Sequence, residues 1–382
     1  MDFDLNDEQR QLKESVERLL AGAYGDLNKR FAAMKEPKGY SAALWKQYAD
    51  LGLLAVPFAE EHGGLGQGLT ETMIIAEAFG RALALEPYLA TVVLGGGTLR
   101  HAGNGALLAD LVPGIVEGKT TLALAHQERQ ARYDLADTAT TARAEGRGGF
   151  TLEGEKCVVL HGDSADKLIV SARLQGGRTD RGGIGLFLVD AKAGGVSRRG
   201  YPTQDGMRAA DVTLSAVRVA PEAMVAGPDR GLAVLERVVD EAIAALCAEA
   251  VGAMAALHEL TVEYLKTRKQ FGVPIGSFQV LQHRAVDMLT SLEQARSMAY
   301  YATMMAAEED AGVRRRAMSA AKVQIGRSAR HIGQEAIQLH GGIGMTMEYK
   351  AGHYFKRLTM IDLAFGDADH HLRELARAGG LG

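Results

Sequence analysis

The sequence has 382 residues, of which 47% are hydrophobic, and its 43 basic and 47 acidic side chains give a formal net charge of −4. This length predicts two or three domains, and the mixed charges favour neither nucleic acid nor a membrane surface as a partner. Cys157 and Cys247 have no metal or redox spacing, no apolar run could span a membrane, and the acidic start is unlike a signal peptide, so we expect a cytoplasmic protein.

Residues 1–117 are predicted to form a helical domain. Asn6 and Gln9 have the spacing of a capping box, and apolar residues follow at helical intervals. Further helices are predicted over 41–52 and 69–84, and a glycine-rich run at 63–66 separates them.

Residues 118–225 predict a small β domain, either a barrel or a sandwich. Short runs of strand-forming residues alternate there with glycine clusters. The predicted strands cover 121–125, 138–142, 157–160, 167–172, 184–189 and 212–219.

Residues 226–382 predict a four-helix bundle, because long periodic segments are joined by short links. The first helix would run from Gly231 to Gly272, where Pro274 blocks its continuation. The other three would cover about 277–310, 313–340 and 348–377.

The strongest local motif is Arg268-Lys-Gln-Phe-Gly-Val-Pro-Ile-Gly-Ser-Phe-Gln279. Arg268 in the last turn of one helix and Gln279 in the first turn of the next could reach one polar ligand. Arginine suits a pyrophosphate, because its planar fork donates paired hydrogen bonds. The alternative is an ordinary corner between two helices with a capping arginine.

A second motif, Gln338-Leu-His-Gly-Gly-Ile-Gly-Met-Thr-Met-Glu348, ends a helix at Gly341 and Gly342, where a ligand or another backbone could approach closely. A helical pattern precedes it, so it is not a dinucleotide-binding fingerprint of the strand–turn–helix type. The run of glycines at 95–97 predicts close helix packing or a loop. Neither the His370-His371 pair nor any other set has metal-ligand spacing.

These two motifs, in this order and behind a β domain, resemble the acyl-CoA dehydrogenase family over essentially the whole chain. The run Ala-Glu-Ala-Phe-Gly-Arg at 76–81 adds to the resemblance. It implies a mainly helical fold with a central β domain, namely an N-terminal helical domain, a middle β barrel or sandwich and a C-terminal four-helix bundle. It also implies FAD as the cofactor and an acyl-CoA thioester as the substrate.

In this family FAD lies between two subunits, which implies an oligomer. Two groups of positions here match those that hold a neighbouring subunit's FAD. They are Arg268, Gln270, Phe271 and Gln279 in the first motif, and Gln338, Gly341 and Gly342 in the second.

The resemblance also implies a carboxylate that removes the α-proton of the substrate, and such a base contributes roughly two to four powers of ten in rate. Phe365 stands at the usual position of this base. At the alternative family position, on the first bundle helix, the sequence has Ala242. Asp240 and Glu241 are neighbours there, but adjacent helical residues point about 100° apart.

The positions that would face the chain's own flavin differ as well. The usual aromatic residue and hydroxyl of the third strand become Val158 and Leu160. The family's usual Thr-Glu-Pro-Gly-x-Gly-Ser-Asp loop is reduced to residues 127–134. Two further cofactor positions become Asp367 and Asp369, whose charges would repel a pyrophosphate.

Three hypotheses follow. The first is a base-lacking subunit that completes the flavin site of a second, catalytic subunit in an α2β2 heterotetramer. The second is a self-sufficient homo-oligomeric dehydrogenase with Glu241 or Asp240 as its base. The third is a structural subunit that binds no flavin. The resemblance suggests pimeloyl-CoA or another dicarboxylyl-CoA as substrate, with steroid side-chain thioesters as a rival, and an electron-transferring flavoprotein as acceptor.

Overall fold

A computed structural model describes residues 4–146 and 148–379. The helices are α1 (Asp7–Tyr24), α2 (Leu27–Met34), α3 (Ala42–Asp50), α4 (Leu69–Ala82), α5 (Gly97–Ala102), α6 (Gly105–Val116), α7 (Gly231–Thr267), α8 (Gln279–Met305), α9 (Ala311–His340), α10 (Lys350–Leu363) and α11 (Ala368–Arg377). The strands are β1 (Leu122–Ala125), β2 (Thr141–Ala144), β3 (Phe150–Leu160), β4 (Lys167–Arg173), β5 (Ile184–Asp190), β6 (Val196–Pro202), β7 (Arg208–Val219), β8 (Met224–Ala226), β9 (Lys269–Gln270) and β10 (Val273–Pro274).

The chain folds into two compact units. A helical unit contains the residues up to Ala32, Leu69–Ala84 and the chain from Ile243 onwards, and a β unit contains Ala33–Gly68 and Leu85–Ala242. In the part of the chain that the structure describes, no helix combines the length and apolarity needed to cross a bilayer. The three domain boundaries drawn from the sequence stay a prediction.

The helical unit confirms the predicted start of α1. The Asn6 side chain accepts a hydrogen bond from the Gln9 backbone N–H at 2.8 Å, and the Gln9 side chain accepts one from Asn6 N–H at 3.1 Å. Both donors belong to the helix start, where the backbone has no intrahelical acceptor.

Helices α4 and α7 cross in backbone contact. A Cβ added to Gly80 would fall well inside contact distance of the Glu249 carbonyl oxygen, and one added to Gly252 would meet the Glu77 carbonyl in the same way. Beside the crossing, the buried Arg357 guanidinium donates two hydrogen bonds, of 2.6 and 2.8 Å, to the Glu249 carboxylate. The glycines therefore set how closely the two helices approach.

The carboxyl-terminal segment departs from the predicted four helices, because the predicted helix over 348–377 is two helices, α10 and α11. Ala364 has extended backbone angles, Phe365 has φ +57° and Gly366 has φ +115°, so the chain turns sharply between the two helices. Asp367 then caps α11 by accepting a hydrogen bond from His370 N–H at 2.7 Å.

The β unit has the small β domain that the sequence predicts. The strands pair in the order β6-β7-β3-β2-β4-β5-β8, and β1 also pairs with β4 in parallel. Strands β2 and β4 pair only at Thr141 and Arg173, so the sheet divides into two four-stranded halves. Buried side chains of both halves, including Leu152, Val170 and Phe187, form one core.

Strands β6 and β8 were not predicted. Strand β6 lies at the edge of the sheet and carries Arg198, Arg199, Gly200 and Pro202, a composition typical of a protected edge. The predicted strand 157–160 is the end of β3, whose earlier part is interrupted by Gly154 and charged side chains.

The glycine run at 95–97 lies in a closely packed helix, which is the first of the two alternatives that the sequence leaves open. It lies where a π-helix over Leu89–Gly96 continues into α5. A Cβ at Gly95 would be 2.5 Å from Leu122 Cβ, and one at Gly96 would be 2.5 Å from the Phe58 ring.

A buried ion pair joins the end of β1 to β3. The Lys156 ammonium contacts the Glu128 carboxylate at 2.7 Å, and the two side chains are 0% and 3% exposed. Lys156 also donates to Ser171 Oγ at 3.0 Å, and Glu128 accepts from Gln130 and from the backbone N–H groups of Ala139 and Thr140 at 2.7, 2.8 and 3.0 Å. The hydrogen-bonding capacity of both charges is thereby satisfied, which a buried pair requires.

Candidate functional site

The Arg268–Gln279 motif forms a tight β-hairpin, and the prediction that α7 continues to Gly272 is wrong. The helix ends at Thr267, after which β9 and β10 pair through Gln270 and Val273. The two turn residues, Phe271 and Gly272, have φ of +54° and +83°, the left-handed backbone of a type I′ turn. Arg268 consequently follows the helix instead of lying in its last turn.

The tip of this hairpin carries an aromatic ring in solvent. The Phe271 side chain is 92% exposed, and its ring contacts the Phe278 ring edge-on at 6.1 Å between centroids. A phenylalanine in this position loses the benefit of burial and also has an unfavourable backbone conformation for a bulky residue. Such a combination is typical of a contact surface for another molecule.

The second motif lies at the carboxyl end of α9. The helix ends at His340, Gly341 adopts φ +60°, and a Cβ at Gly341 or Gly342 would meet no atom within 4 Å. Both glycines and Gln338 are exposed. The backbone here is therefore open to a ligand.

The fold brings the two motifs to one end of the helical unit. The Tyr264 ring, one turn before Arg268, packs on the His340 ring at 4.6 Å between centroids. Helices α8 and α9 are antiparallel neighbours, joined by an ion pair between Arg284 and Glu335. The amino end of α8 with Gln279 therefore lies beside the carboxyl end of α9.

Several polar side chains are exposed at this end of the helical unit. The side chains of Arg268, Gln279 and Gln338 are exposed and make no hydrogen bond or ion pair with other described residues. Gln270 donates only to the neighbouring Lys269 carbonyl, at 2.8 Å. A guanidinium, three amides and an aromatic ring thus present a surface that could hold an anionic, ring-bearing ligand.

Phe365, at the usual position of the base, lies in the turn between α10 and α11. The turn that contains Phe365 is fixed by the fully buried Lys322. The Lys322 ammonium donates hydrogen bonds to the carbonyl oxygens of Ile361, Asp362 and Ala364 at 2.7, 3.0 and 2.9 Å. Burial lowers the pKa of Lys322 to about 8. The His371 ring lies 3.1 Å from the Phe365 carbonyl oxygen.

The carboxylate of Glu241, the candidate base, is engaged by basic side chains of the same unit. The Arg100 guanidinium and the His101 ring contact its two oxygens at 2.9 and 2.7 Å, and Arg237 lies 3.6 Å away. Burial alone would raise the pKa of Glu241, but the hydrogen bond of His101 and the charge of Arg100 outweigh burial and lower the pKa. A carboxylate so stabilised is a poor proton acceptor. Asp240 is also buried.

In the β unit, the structure shows the surroundings of the positions that the resemblance places beside the chain's own flavin. Val158 is 39% exposed with φ +51°, and Leu160 offers no side-chain donor. His161 is buried against the Tyr40 ring at 5.8 Å. The carboxylate of Glu128, in the shortened loop, accepts hydrogen bonds from Lys156 and from Gln130.

Sequence reasoning missed the residues that hold these loops. Lys156 and Lys322 give no pattern, because a lysine in a strand or helix normally indicates a solvated face. Their burial depends on acceptors distant in the chain. The sequence could have indicated their burial in one way, because each lysine stands at a position where the periodic pattern of its strand or helix otherwise predicts a core-facing apolar residue.

Comparisons with known proteins agree with this architecture. Models of the acyl-CoA dehydrogenase N-terminal, middle and C-terminal domains match residues 6–119, 123–217 and 229–380. The acyl-CoA dehydrogenase IpdE2 of Mycobacterium tuberculosis is 31% identical over 353 residues, covering 92% of this chain and 91% of that protein.

Two solved structures are similar over almost the full chain. A variant of the Tcur3481–Tcur3483 steroid acyl-CoA dehydrogenase has a TM-score of 0.87 and 30% identity, with 98% of each chain covered. The ChsE4–ChsE5 complex of Mycobacterium tuberculosis has a TM-score of 0.88 and 25% identity, with 100% of each chain covered. The chain therefore belongs to the acyl-CoA dehydrogenase family of oxidoreductases, whose members bind FAD.

Proposed function

We propose that this chain is the base-lacking subunit of a hetero-oligomeric, FAD-dependent acyl-CoA dehydrogenase. It completes the flavin site of a second, catalytic subunit, and together they introduce an α,β double bond into an acyl-CoA thioester. The single observation that carries the proposal is the exposed end of the helical unit, where Phe271 is 92% exposed and the Arg268, Gln279 and Gln338 side chains have no partner in the described chain.

The roles within this end follow from chemistry. Arg268 can donate paired hydrogen bonds to a pyrophosphate, and the Phe271 ring can lie against an adenine. Gln279 and Gln338 can donate and accept amide hydrogen bonds, while Gly341 and Gly342 let the ligand approach the backbone. FAD, when bound, supplies the acceptor for the β-hydride of the substrate.

The lack of a base supports a catalytic partner. Removal of the α-proton needs a carboxylate beside the thioester, and Phe365 offers none. Glu241, the candidate of the self-sufficient alternative, is held by Arg100 and His101. We infer that a second polypeptide supplies the proton acceptor.

Two structural relatives are compatible with a heteromer, since one is the ChsE4–ChsE5 complex and the other is described as a Tcur3481–Tcur3483 steroid acyl-CoA dehydrogenase. The segments 132–137, 160–166 and 365–371 resemble those of a pimeloyl-CoA dehydrogenase small subunit, so we propose pimeloyl-CoA or another dicarboxylyl-CoA as substrate. A steroid side-chain thioester is the second candidate, because one relative is described as a steroid acyl-CoA dehydrogenase. We further propose an electron-transferring flavoprotein as acceptor and the cytoplasm as location.

The test is to capture the native partner with a tagged chain, co-express the two and count FAD per complex. Arg268→Ala should lose bound FAD while the two subunits stay associated. The control Lys269→Ala removes one positive charge from the adjacent exposed residue and should keep its FAD. Unchanged FAD in Arg268→Ala would favour the structural, flavin-free alternative. A yellow and catalytically competent homo-oligomer of this chain alone would rule the proposal out.

A further inference from the structure

Three aromatic rings pack together at the end of the helical unit that carries the two motifs. The His340 ring, at the last residue of α9, lies 4.6 Å from the Tyr264 ring of α7 and 5.0 Å from the Tyr349 ring, measured between centroids. The two tyrosine rings are 6.3 Å apart and meet edge-on. Tyr349 immediately precedes α10. His340, which is 3% exposed, therefore lies where three helices meet.

The orientation of the His340 ring is fixed from its own helix. Nδ1 lies 2.8 Å from the Ala336 carbonyl oxygen. Burial lowers the pKa of His340, although hydrogen bonding to the carbonyls of Ala336 and Leu260 works in the opposite direction. The ring is therefore neutral near pH 7 and has one N–H, which the Ala336 carbonyl can accept. It serves as an uncharged spacer between the two tyrosines.

Tyr264 connects this ring to the first motif. The Tyr264 carbonyl oxygen accepts a hydrogen bond from the Arg268 N–H at 2.8 Å, and the Arg268 carbonyl accepts one from the Ile275 N–H at 2.8 Å. A Cβ added to Gly276 would lie 2.8 Å from the Leu265 carbonyl oxygen, so the chain after the hairpin packs on the end of α7. A shift of Tyr264 would therefore move Arg268 and its hairpin.

The second motif folds back onto His340. The Gly341 N–H is bonded to the carbonyl oxygens of Gln338 and Ile337. Gly344 is buried, and a Cβ there would lie 3.0 Å from His340 Cβ and 3.2 Å from the Ile337 carbonyl oxygen. The loop that follows Gly341 is thus packed directly on His340, and this residue sets where the backbone of the loop lies.

We propose that His340 is a positioning residue, whose ring fixes the Arg268 hairpin relative to the glycines at 341–342. This role rests on the proposed function, which assigns both motifs to one flavin-holding surface. His340 is buried, so it acts through its neighbours and not by touching the ligand. Groups held at a constant spacing bind more tightly, because less conformational freedom is lost when the ligand arrives.

Hydrogen exchange of the full chain tests the positioning without a flavin. His340→Ala should speed exchange in the peptide 264–278 about tenfold or more, whereas His340→Phe, which restores a ring, should leave it nearly unchanged. His331→Ala is the matched control, because His331 belongs to the same helix and contacts Ser291 Oγ at 2.8 Å, away from both motifs. Exchange in α1 should be equal in all variants, which separates a local change from general unfolding. Equal exchange of 264–278 in His340→Ala and the unaltered chain would overturn the proposal.

The FAD affinity of the co-expressed complex is the second measurement. His340→Ala should weaken it about tenfold or more while the subunits stay associated, and His340→Phe should recover most of the loss. In an Arg268→Ala background the His340→Ala change should add little, because both act through the same contact, and a fully additive loss would count against positioning.

The two variants also separate this role from the proposed function. Unchanged FAD affinity in His340→Ala, together with loss of FAD in Arg268→Ala, would overturn the positioning role and leave the proposed function standing. Unchanged FAD in Arg268→Ala would instead overturn the proposed function, and the flavin role of His340 with it.

Discussion

The buried pair of Lys156 and Glu128 permits a sharp test of how charge stabilises the β unit. Lys156→Met keeps most of the side-chain volume but removes the ammonium that contacts Glu128 at 2.7 Å. Glu128 would keep three hydrogen-bond donors, from Gln130, Ala139 and Thr140, yet its negative charge would lose its counterion. A buried charge in that state is expensive.

The expected cost is about 3–5 kcal/mol, the range found when one partner of a buried ion pair is removed. For a unit of this size the loss corresponds to a fall in Tm on the order of 10 °C. Lys167→Met is the matched control on the same sheet. Lys167 is 31% exposed and lies 3.8 Å from Asp190, so this variant should cost no more than about 1 kcal/mol.

Thermal unfolding of both variants at pH 8 and pH 5, followed by circular dichroism, distinguishes charge from packing. The penalty of Lys156→Met should shrink at pH 5, because the unpaired Glu128 carboxyl has a raised pKa and can be buried as the neutral acid. The penalty of Lys167→Met should stay small at both values. A Lys156→Met variant as stable as the control, or equally destabilised at both pH values, would refute the reasoning.

Three further outcomes are expected. Gly80→Ala should lower the free energy of unfolding of the helical unit in urea by roughly 1–3 kcal/mol or more, because the added Cβ would clash with the Glu249 carbonyl. The control Gly22→Ala, on the open surface of α1, should be neutral or stabilising. Glu241→Gln in the reconstituted complex should leave anaerobic bleaching of the flavin by acyl-CoA intact, since its carboxylate is held by cations; abolished bleaching would revive the self-sufficient alternative. Acid should unfold the β unit: burial raises the pKa of Glu128, but Lys156 outweighs burial and lowers it from 4.5 to about 2. The ionised Glu128 carboxylate therefore stabilises the fold above pH 4.5, and a pH titration of stability should show this contribution being lost as the pH falls from 4.5 towards 2.

Local signals in the sequence predicted much of the fold. The capping box at Asn6 and Gln9, the glycine packing at 95–97 and the central β domain depend on nearest neighbours or on simple periodicity, and all are present. The relation between the two motifs, from Arg268 and from Gln338, followed from the family resemblance. Their proximity in the structure depends on α8 and α9 running antiparallel.

The failures have physical causes. The end of α7 was misjudged because Phe271 and Gly272 form a turn that needs two left-handed residues, and phenylalanine gives no warning of this conformation. The break at 364–367 was missed because Lys322, some forty residues away, satisfies the carbonyls freed there. Strand β6 was missed because edge strands avoid the alternation that identifies inner strands.

The uncovered ring of Phe271 has a consequence for the cell. A copy of the chain without its proposed partner would expose the apolar Phe271 side chain at the tip of a tight turn. Chaperones and quality-control proteases recognise exposed apolar side chains of this kind. Synthesis of the two subunits would then have to be matched, and overproduction of this one alone should lead to aggregation or rapid turnover. The Phe271 side chain, which is proposed to contact the cofactor, would then also distinguish an unassembled chain from an assembled one.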